Sequence, residues 1–238
     1  MIDITFKMYL DTPKSKDPDT HSRTLRDYHQ FLWSKPLPNG RIFNLVAESG
    51  PPYYFRHSSD AADFRLSSDS IIHTYSRWTR NQQMSNIIQQ IPADDIEAFF
   101  DLASTIGAYI IFPANRIDKK PTINGIRGMH QMVRDRFDLT LECIRRWYIH
   151  EESPLSEHIE RYRDFFLLFD DFKGYVSFFL LEDLVCEDFG SIYFWLPFAG
   201  FGETPPLPAD VREYRQYMKN IFKFAKARSK RMENWRRS

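Results

Sequence analysis

An α+β protein, with a mostly antiparallel N-terminal sheet packed against a predominantly helical C-terminal half, is what this sequence of 238 residues predicts. Two observations carry that reading. Short runs rich in β-branched and aromatic residues, punctuated by Pro, Gly, Asn and Asp, fill most of residues 1–84. From about Ser85 onward, apolar residues recur instead at three- and four-residue spacing, the period of a helix with one buried face. No internal repeat interrupts either half. With only 9 Gly in the chain, collagen-like and low-complexity architectures are excluded. One domain over 1–238, mainly β over 1–84 and mainly α over 85–238, is the expected layout.

Taken in order, the stretch IDITFKMYL alternates apolar and polar residues and reads as a strand with Ile2, Ile4, Phe6 and Met8 on one face. DTPKSKDPDT is a polar loop broken by Pro13 and Pro18. SRTLRDYHQFLWSK follows as a short helix, with Leu25, Tyr28, Phe31 and Leu32 on one face and Pro36 as its stop. Asn39-Gly40 marks a turn into a strand. PPYYFRHSS, ADFRLSSDSI and IIHTYSRWT read as further short strands. In the second half, Asp94 or Asp95 is expected to cap the helix DIEAFFDLAST, which ends before Gly107. AYIIFP is a buried strand or a last helical turn, and ANRIDKKPTINGIRG an irregular loop. Helices are expected at about 130–150, 154–169, 171–186 and 209–234, with PFAGFGETPPLP as a loop.

Composition narrows the function classes. The 32 basic and 32 acidic residues cancel, so attraction to nucleic acid needs a local patch rather than the whole surface. No apolar run approaches the roughly 20 residues of a membrane span, and the N-terminus lacks the apolar stretch of a secretory signal. Cys143 and Cys186 sit in periodic apolar contexts and read as reduced core thiols of a cytoplasmic protein. H-x-x-x-H, C-x-x-C, H-E-x-x-H, P-loop, Rossmann and G-x-S-x-G patterns are all missing, so no metal and no cofactor is indicated.

The unusual segment is Phe112 to Leu155, where Arg, Asn, His and carboxylates crowd between apolar neighbours. With Met132–Ile149 on a helix at about 100° per residue, Val133, Phe137, Leu141, Ile144 and Tyr148 share one face, widened by Leu139, Cys143 and Trp147. Arg134, Asp135, Asp138, Glu142, Arg145 and Arg146 form the remaining stripe. A helix apolar over most of its girth is buried, so a charged stripe on it lines either a cleft or an internal seam. In the seam reading, arginines hold carboxylates ionised and fix register. In the cleft reading, arginines bind phosphate and a carboxylate handles a proton. The ligand-binding candidates are Asn115, Arg116, Asn124, Arg127 and Arg146; those for catalysis are His130, Asp138, Glu142, Arg145 and His150.

Three further patterns bear on function. Arg145 and His150 satisfy R-x4-H, which resembles the signature of HEPN-type ribonucleases; the two diverge by about 140° on an ideal helix, so the helix must end between them. Arg56, His57, Ser67 and Ser68 in YYFRHSS…DFRLSSDS resemble the NAD-binding strands of ADP-ribosyltransferases, although no E-x-E pair follows on a late strand. The stretch from Glu213 to Ser238 is an amphipathic basic helix, suited to docking on the fold, to RNA, to an acidic protein partner or to lipid headgroups.

The run IFPANRIDKKPTINGIRGMH…DRFDLTLECIRRWY…YRDFFLLFDDFKGYVSFFLLEDLV, together with TLRDYHQFLWSKPLPNGRIFNL, resembles a bacterial family known only as a domain of unknown function, over nearly the whole chain. The resemblance implies a bacterial single-domain protein and lends no activity. The expected function is therefore binding of a nucleotide or nucleic acid, in its more specific form by an RNA-directed enzyme of the toxin or phage-defence type, either a ribonuclease or a nucleotide-dependent transferase. The alternatives are a non-catalytic protein-interaction module with a structural ion network, and an ADP-ribosyltransferase-like enzyme.

Overall fold

The computed structural model describes residues 2–50, 53–58, 63–75 and 82–235. Within them, four strands form one antiparallel sheet in the order β3 (Val46–Ala47), β4 (Phe55–Ser58), β5 (Asp63–Ser70) and β6 (Tyr109–Pro113). A separate two-stranded ribbon joins β1 (Lys35–Pro36) to β2 (Ile42–Phe43) across the turn at Gly40, whose φ of 79° suits glycine. The C-terminal half is largely helical, so the α+β class holds. Its first strand, β6, is nevertheless part of the sheet. Ser68 of β5 stands opposite Ile111 of β6, and all five β6 residues are buried, which is why YIIFP is apolar without alternation.

The helices are α1 (Pro18–His21), α2 (Arg23–Trp33), α3 (Gln82–Ile88), α4 (Ala93–Ala103), α5 (Ile123–Met129), α6 (Phe137–Tyr148), α7 (Ser156–Glu160), α8 (Arg163–Phe166), α9 (Phe172–Phe178) and α10 (Val211–Asn234). Side-chain caps start several of them: Ser22 accepts from the Leu25 amide, Thr122 from Gly125, Asp171 from Gly174 and Asp210 from Glu213. The core between sheet and helices is dense in rings. Trp33 packs on Phe178 and Phe179, and Phe165, Phe169 and Tyr175 close around Phe179.

Several expectations are corrected. Residues 2–10 form no strand: Ile2 and Met8 are buried as the alternation required, but Asp3 turns the chain through Thr5, and the Met8 amide donates to the Ser104 carbonyl of the helical half. Without a partner strand, alternation alone builds no ladder. Of IIHTYSRWT, residues 71–75 are irregular, with Tyr75 at φ 58°, and 76–79 lie outside the described residues. Pro92, not Asp94 or Asp95, caps α4; the two carboxylates sit in its first turn, where they favour the helix dipole. The helix expected over 130–150 begins only at Phe137, because Arg134 and Asp135 both take left-handed φ. The region 154–169 is broken into α7, α8 and a 3-10 turn rather than one helix, and 171–186 ends as a helix at Phe178, since Leu180 is left-handed.

The longest helix, α10, lies against the entry to β6. A Cβ on Gly107 would stand 2.8 Å from the Ala225 carbonyl oxygen of α10, so only glycine permits this approach. Arg228 of α10 is fully buried. Its Nη1 donates to the Gly107 and Tyr109 carbonyls, each at 2.9 Å, and Nη2 donates to the Phe179 carbonyl at 3.0 Å. One guanidinium thus ties α10 to the sheet and to the end of α9.

Candidate functional site

The charged segment resolves into three ion clusters. In the first, Arg127 on α5 reaches β5: its Nε donates to Asp69 at 2.9 Å and its Nη2 to the Ser70 carbonyl at 2.5 Å, with Asp135 at 3.8 Å. Asn124, one helical turn earlier, also donates to Asp69. Burial pushes the Asp69 carboxyl up to about 6 against the pull of Arg127. Asp19 on α1 joins from the other side. One of its oxygens is buried without a hydrogen-bond partner, and burial, then the Asp69 charge, raises its carboxyl well above the usual range.

In the second cluster, Arg136 and Asp138 are sealed from solvent. Arg136 Nε and Nη2 donate to Asp138 at 3.1 and 2.5 Å, and the Trp195 amide donates to the same carboxylate at 2.8 Å. In the third, Glu142 accepts from Arg145 at 2.8 and 2.9 Å and from Arg146 at 2.7 Å, while Arg146 also lies over the Phe201 ring. Three of the four arginines expected to meet phosphate, Arg127, Arg145 and Arg146, thus each hold a carboxylate of the chain, while the fourth, Arg116, is exposed.

The remaining candidates scatter. His150 has a left-handed φ of 58° just beyond α6 and lines a hollow shared with Glu151, Glu152, Glu157 and Glu160, an acidic setting. The structure does not bring it to Arg145, whose guanidinium faces Glu142. His130 ends α5, half-buried, with its pKa lowered by burial. Asn115 and Arg116 are exposed on the loop after β6.

That loop borders the feature that residue patterns missed. Arg161, at the end of α7, lines a recess of about 190 Å³ together with Arg65, Asn115, Ile117, Tyr162 and the carboxylates of Asp63 and Asp164. All three of its guanidinium nitrogens are buried and lack a hydrogen-bond partner. A half-buried cation whose donors lack hydrogen-bond partners is expensive. One turn earlier on the same helix face, His158 Nδ1 is buried and unpartnered too; burial and then the Arg161 charge lower its pKa. The Tyr162 hydroxyl donates to the Asn115 carbonyl at 2.7 Å and fixes the loop over the recess.

An adjoining hollow of about 270 Å³ shares Asp63, Arg65 and Asn115 and adds Glu48 and Arg56. Here the charges are matched: Arg56 chelates Asp63, holding its carboxyl at about 2, and Arg65 bonds Glu48 at 2.7 Å while stacking on Tyr54. Among the described residues that line these two hollows, Arg161 is the cation without a hydrogen-bond partner. In the loop itself Asp118 and Lys119 both adopt left-handed φ, 53° and 58°, a strained pair of the kind that gathers at ligand-binding loops. The sequence SEHIERYRDFF carries no signal for this beyond His158 and Arg161 being three apart.

The other patterns fall out as follows. His57 stacks on Phe43 with ring centroids 4.1 Å apart, and Ser68 bonds His29, so both serve the core. On α10, Arg228 is buried and Arg231 clamps Asp183, while Lys219, Lys223, Lys226 and Lys230 remain exposed along one side; Arg236 and Arg237 lie outside the described residues. Both cysteines are free. Among the described residues, no cluster of His, Cys, Asp and Glu is arranged to hold a metal, and no helix is long and apolar enough to cross a membrane.

Fold and recess together define a class: an α+β protein whose antiparallel sheet and helices frame an arginine-centred recess at the end of β6. The chain belongs to a family of unknown function, DUF6994, which it matches over residues 2–232. No curated protein and no solved structure matches it.

Proposed function

We propose that the chain binds a phosphate-bearing ligand of the nucleotide class in the groove formed by the two adjoining hollows beside β5, β6 and α7. The single observation behind this reading is the Arg161 guanidinium, buried and unpartnered at the recess. In this assignment Arg161 takes the phosphate, by the bidentate geometry that guanidinium offers to such groups. Asn115 flanks it from the loop, with Arg116 next in sequence, and Arg65, which lies over the Tyr54 ring, lines the sugar or base end. Any proton transfer would fall to His158, with His130 the neighbouring imidazole close enough to depress it further. A nucleic-acid strand, and with it a role in RNA-directed defence in a bacterial cytoplasm, extends the same reading.

A second reading, a non-catalytic interaction module stiffened by internal ion pairs, is favoured by the sealed Arg136–Asp138 pair. Titration of inorganic pyrophosphate and AMP, followed by calorimetry and by the melting temperature, separates the two. Binding to the wild-type chain that Arg161→Ala abolishes supports the ligand site. The same variant should melt no lower than wild type, since it removes an unanswered cation. No binding of either probe, or a lower melting temperature in Arg161→Ala, favours the second reading.

A further inference from the structure

Another hollow, of about 420 Å³, lies between the turn at Glu182–Leu184, the segment 193–195 and the outer side of α10. Its walls combine the rings of Tyr193, Phe194, Trp195 and Phe224 with charged groups from Glu182, Asp183, Glu187 and Lys223. Its size falls in the range of small-molecule sites. Trp195 is locked in place. Its backbone amide donates to Asp138, its carbonyl accepts from Asn220 at 2.8 Å, and its indole packs against Tyr217 and Phe224. Yet the indole Nε1, on a residue only 1% exposed, has no acceptor. In the same lining, Glu182 Oε2 is buried without a hydrogen-bond donor; Arg231 Nε stands 3.8 Å away, outside bonding range. Burial raises the Glu182 carboxyl.

One donor and one acceptor, opposite in kind and both without a hydrogen-bond partner, therefore belong to residues that line a single hollow. Buried polar groups in folded proteins are nearly always satisfied, so this pairing points to a ligand that answers both. We infer that this hollow binds a planar aromatic heterocycle carrying an amino group, with Trp195 Nε1 donating to a ring nitrogen or carbonyl of the ligand and Glu182 accepting from its amino group. Tyr193, 57% exposed, supplies a stacking face at the mouth. The inference does not rest on the Arg161 recess, with which this lining shares no residue.

Adenine and cytosine are the probes, with toluene as a polar-free control, each titrated at millimolar concentration into the full chain. The readout is the Trp195 indole N–H resonance, assigned by its loss in Trp195→Phe. The expected result is a saturable shift of that resonance with adenine or cytosine and none of comparable size with toluene. Glu182→Gln, which leaves the indole in place and replaces a charged acceptor by a neutral one, should weaken the binding about fivefold. Should Trp195→Phe fail to fold, the resonance is assigned by through-space contacts to Phe224 and the wild-type titration stands by itself. An indole resonance unmoved by both bases, or moved equally by toluene, overturns the inference, as does an unchanged affinity in Glu182→Gln.

Discussion

Replacing Asp138 by Asn tests the electrostatics of the charged segment most directly. The side chains of Arg136 and Asp138 are both 0% exposed, and three donors converge on the carboxylate: Arg136 Nε, Arg136 Nη2 and the Trp195 amide. Asparagine keeps the shape but removes the charge, leaving the Arg136 guanidinium with the Pro206 and Leu196 carbonyls, at 3.2 and 3.5 Å, as its company. Breaking a buried pair from one side costs about 3–5 kcal/mol. At about 2.1 cal/mol/K per residue, unfolding a chain of this length carries roughly 0.5 kcal/mol/K, so the melting temperature should fall by ~6–10 °C. Scanning calorimetry and urea unfolding measure this. Adding Arg136→Met to Asp138→Asn should recover part of the loss, because the stranded charge goes with it. A melting temperature within about 1 °C of wild type would refute the argument, since it would mean that the pair is not sealed.

Glu142→Gln should cost less, on the order of 1–2 kcal/mol, because Arg145 and Arg146 retain some contact with water; urea unfolding of Asp138→Asn beside Glu142→Gln checks the ranking. Gly107→Ala drives a methyl against the Ala225 carbonyl and should destabilise by about 1–3 kcal/mol, visible as an earlier thermal transition. His29 is buried, accepts from Trp33 Nε1 at 2.8 Å and sits 2.9 Å from Ser68, and burial holds it at about 3. Below the unfolded value of roughly 6.5, the unfolded chain takes up a proton that the folded one refuses. His29 therefore erodes stability as pH falls from about 6.5 toward 3, by up to ~1.4 kcal/mol per unit. Asp69, raised to about 6, works in the opposite sense between about 6 and 4. The direct check is the His29 ring signal in proton NMR, which should not titrate between pH 5 and 8; a midpoint near 6.5 would sink the prediction.

How much of this was written in the sequence depends on the kind of signal. Period and punctuation placed α2, the Gly40 turn, β5, α4 and α10 within a few residues, because each rests on local burial and local breakers, while AYIIFP by itself fits either a strand or a helical turn. Residues 2–10 misled because alternation reports burial, and Ile2 and Met8 are indeed buried, but a strand also needs a neighbour. The start of α6 was hidden because nothing in MVRDR announces that Arg134 and Asp135 turn left-handed. Crowding of charge in the segment 112–155 was visible, yet its partners were not: Asp69 lies 58 residues from Arg127, and the Trp195 amide 57 from Asp138. Arg161 escaped notice for the converse reason. Such an arginine looks like any other until the fold shows that no described residue hydrogen-bonds it.

The Arg228 clasp has a consequence for the order in which the protein is made. The carbonyls of Gly107 and Tyr109 leave the ribosome about 120 residues ahead of the side chain that satisfies them, a delay of roughly 6–24 s at ordinary elongation speeds. Through that interval the inner edge of β6 has only water for those groups, and the sheet cannot close as a dry layer. Nascent chains stalled before α10 should accordingly be retained by chaperones and cleaved readily, and the release of the last helix is the event that ends their exposure.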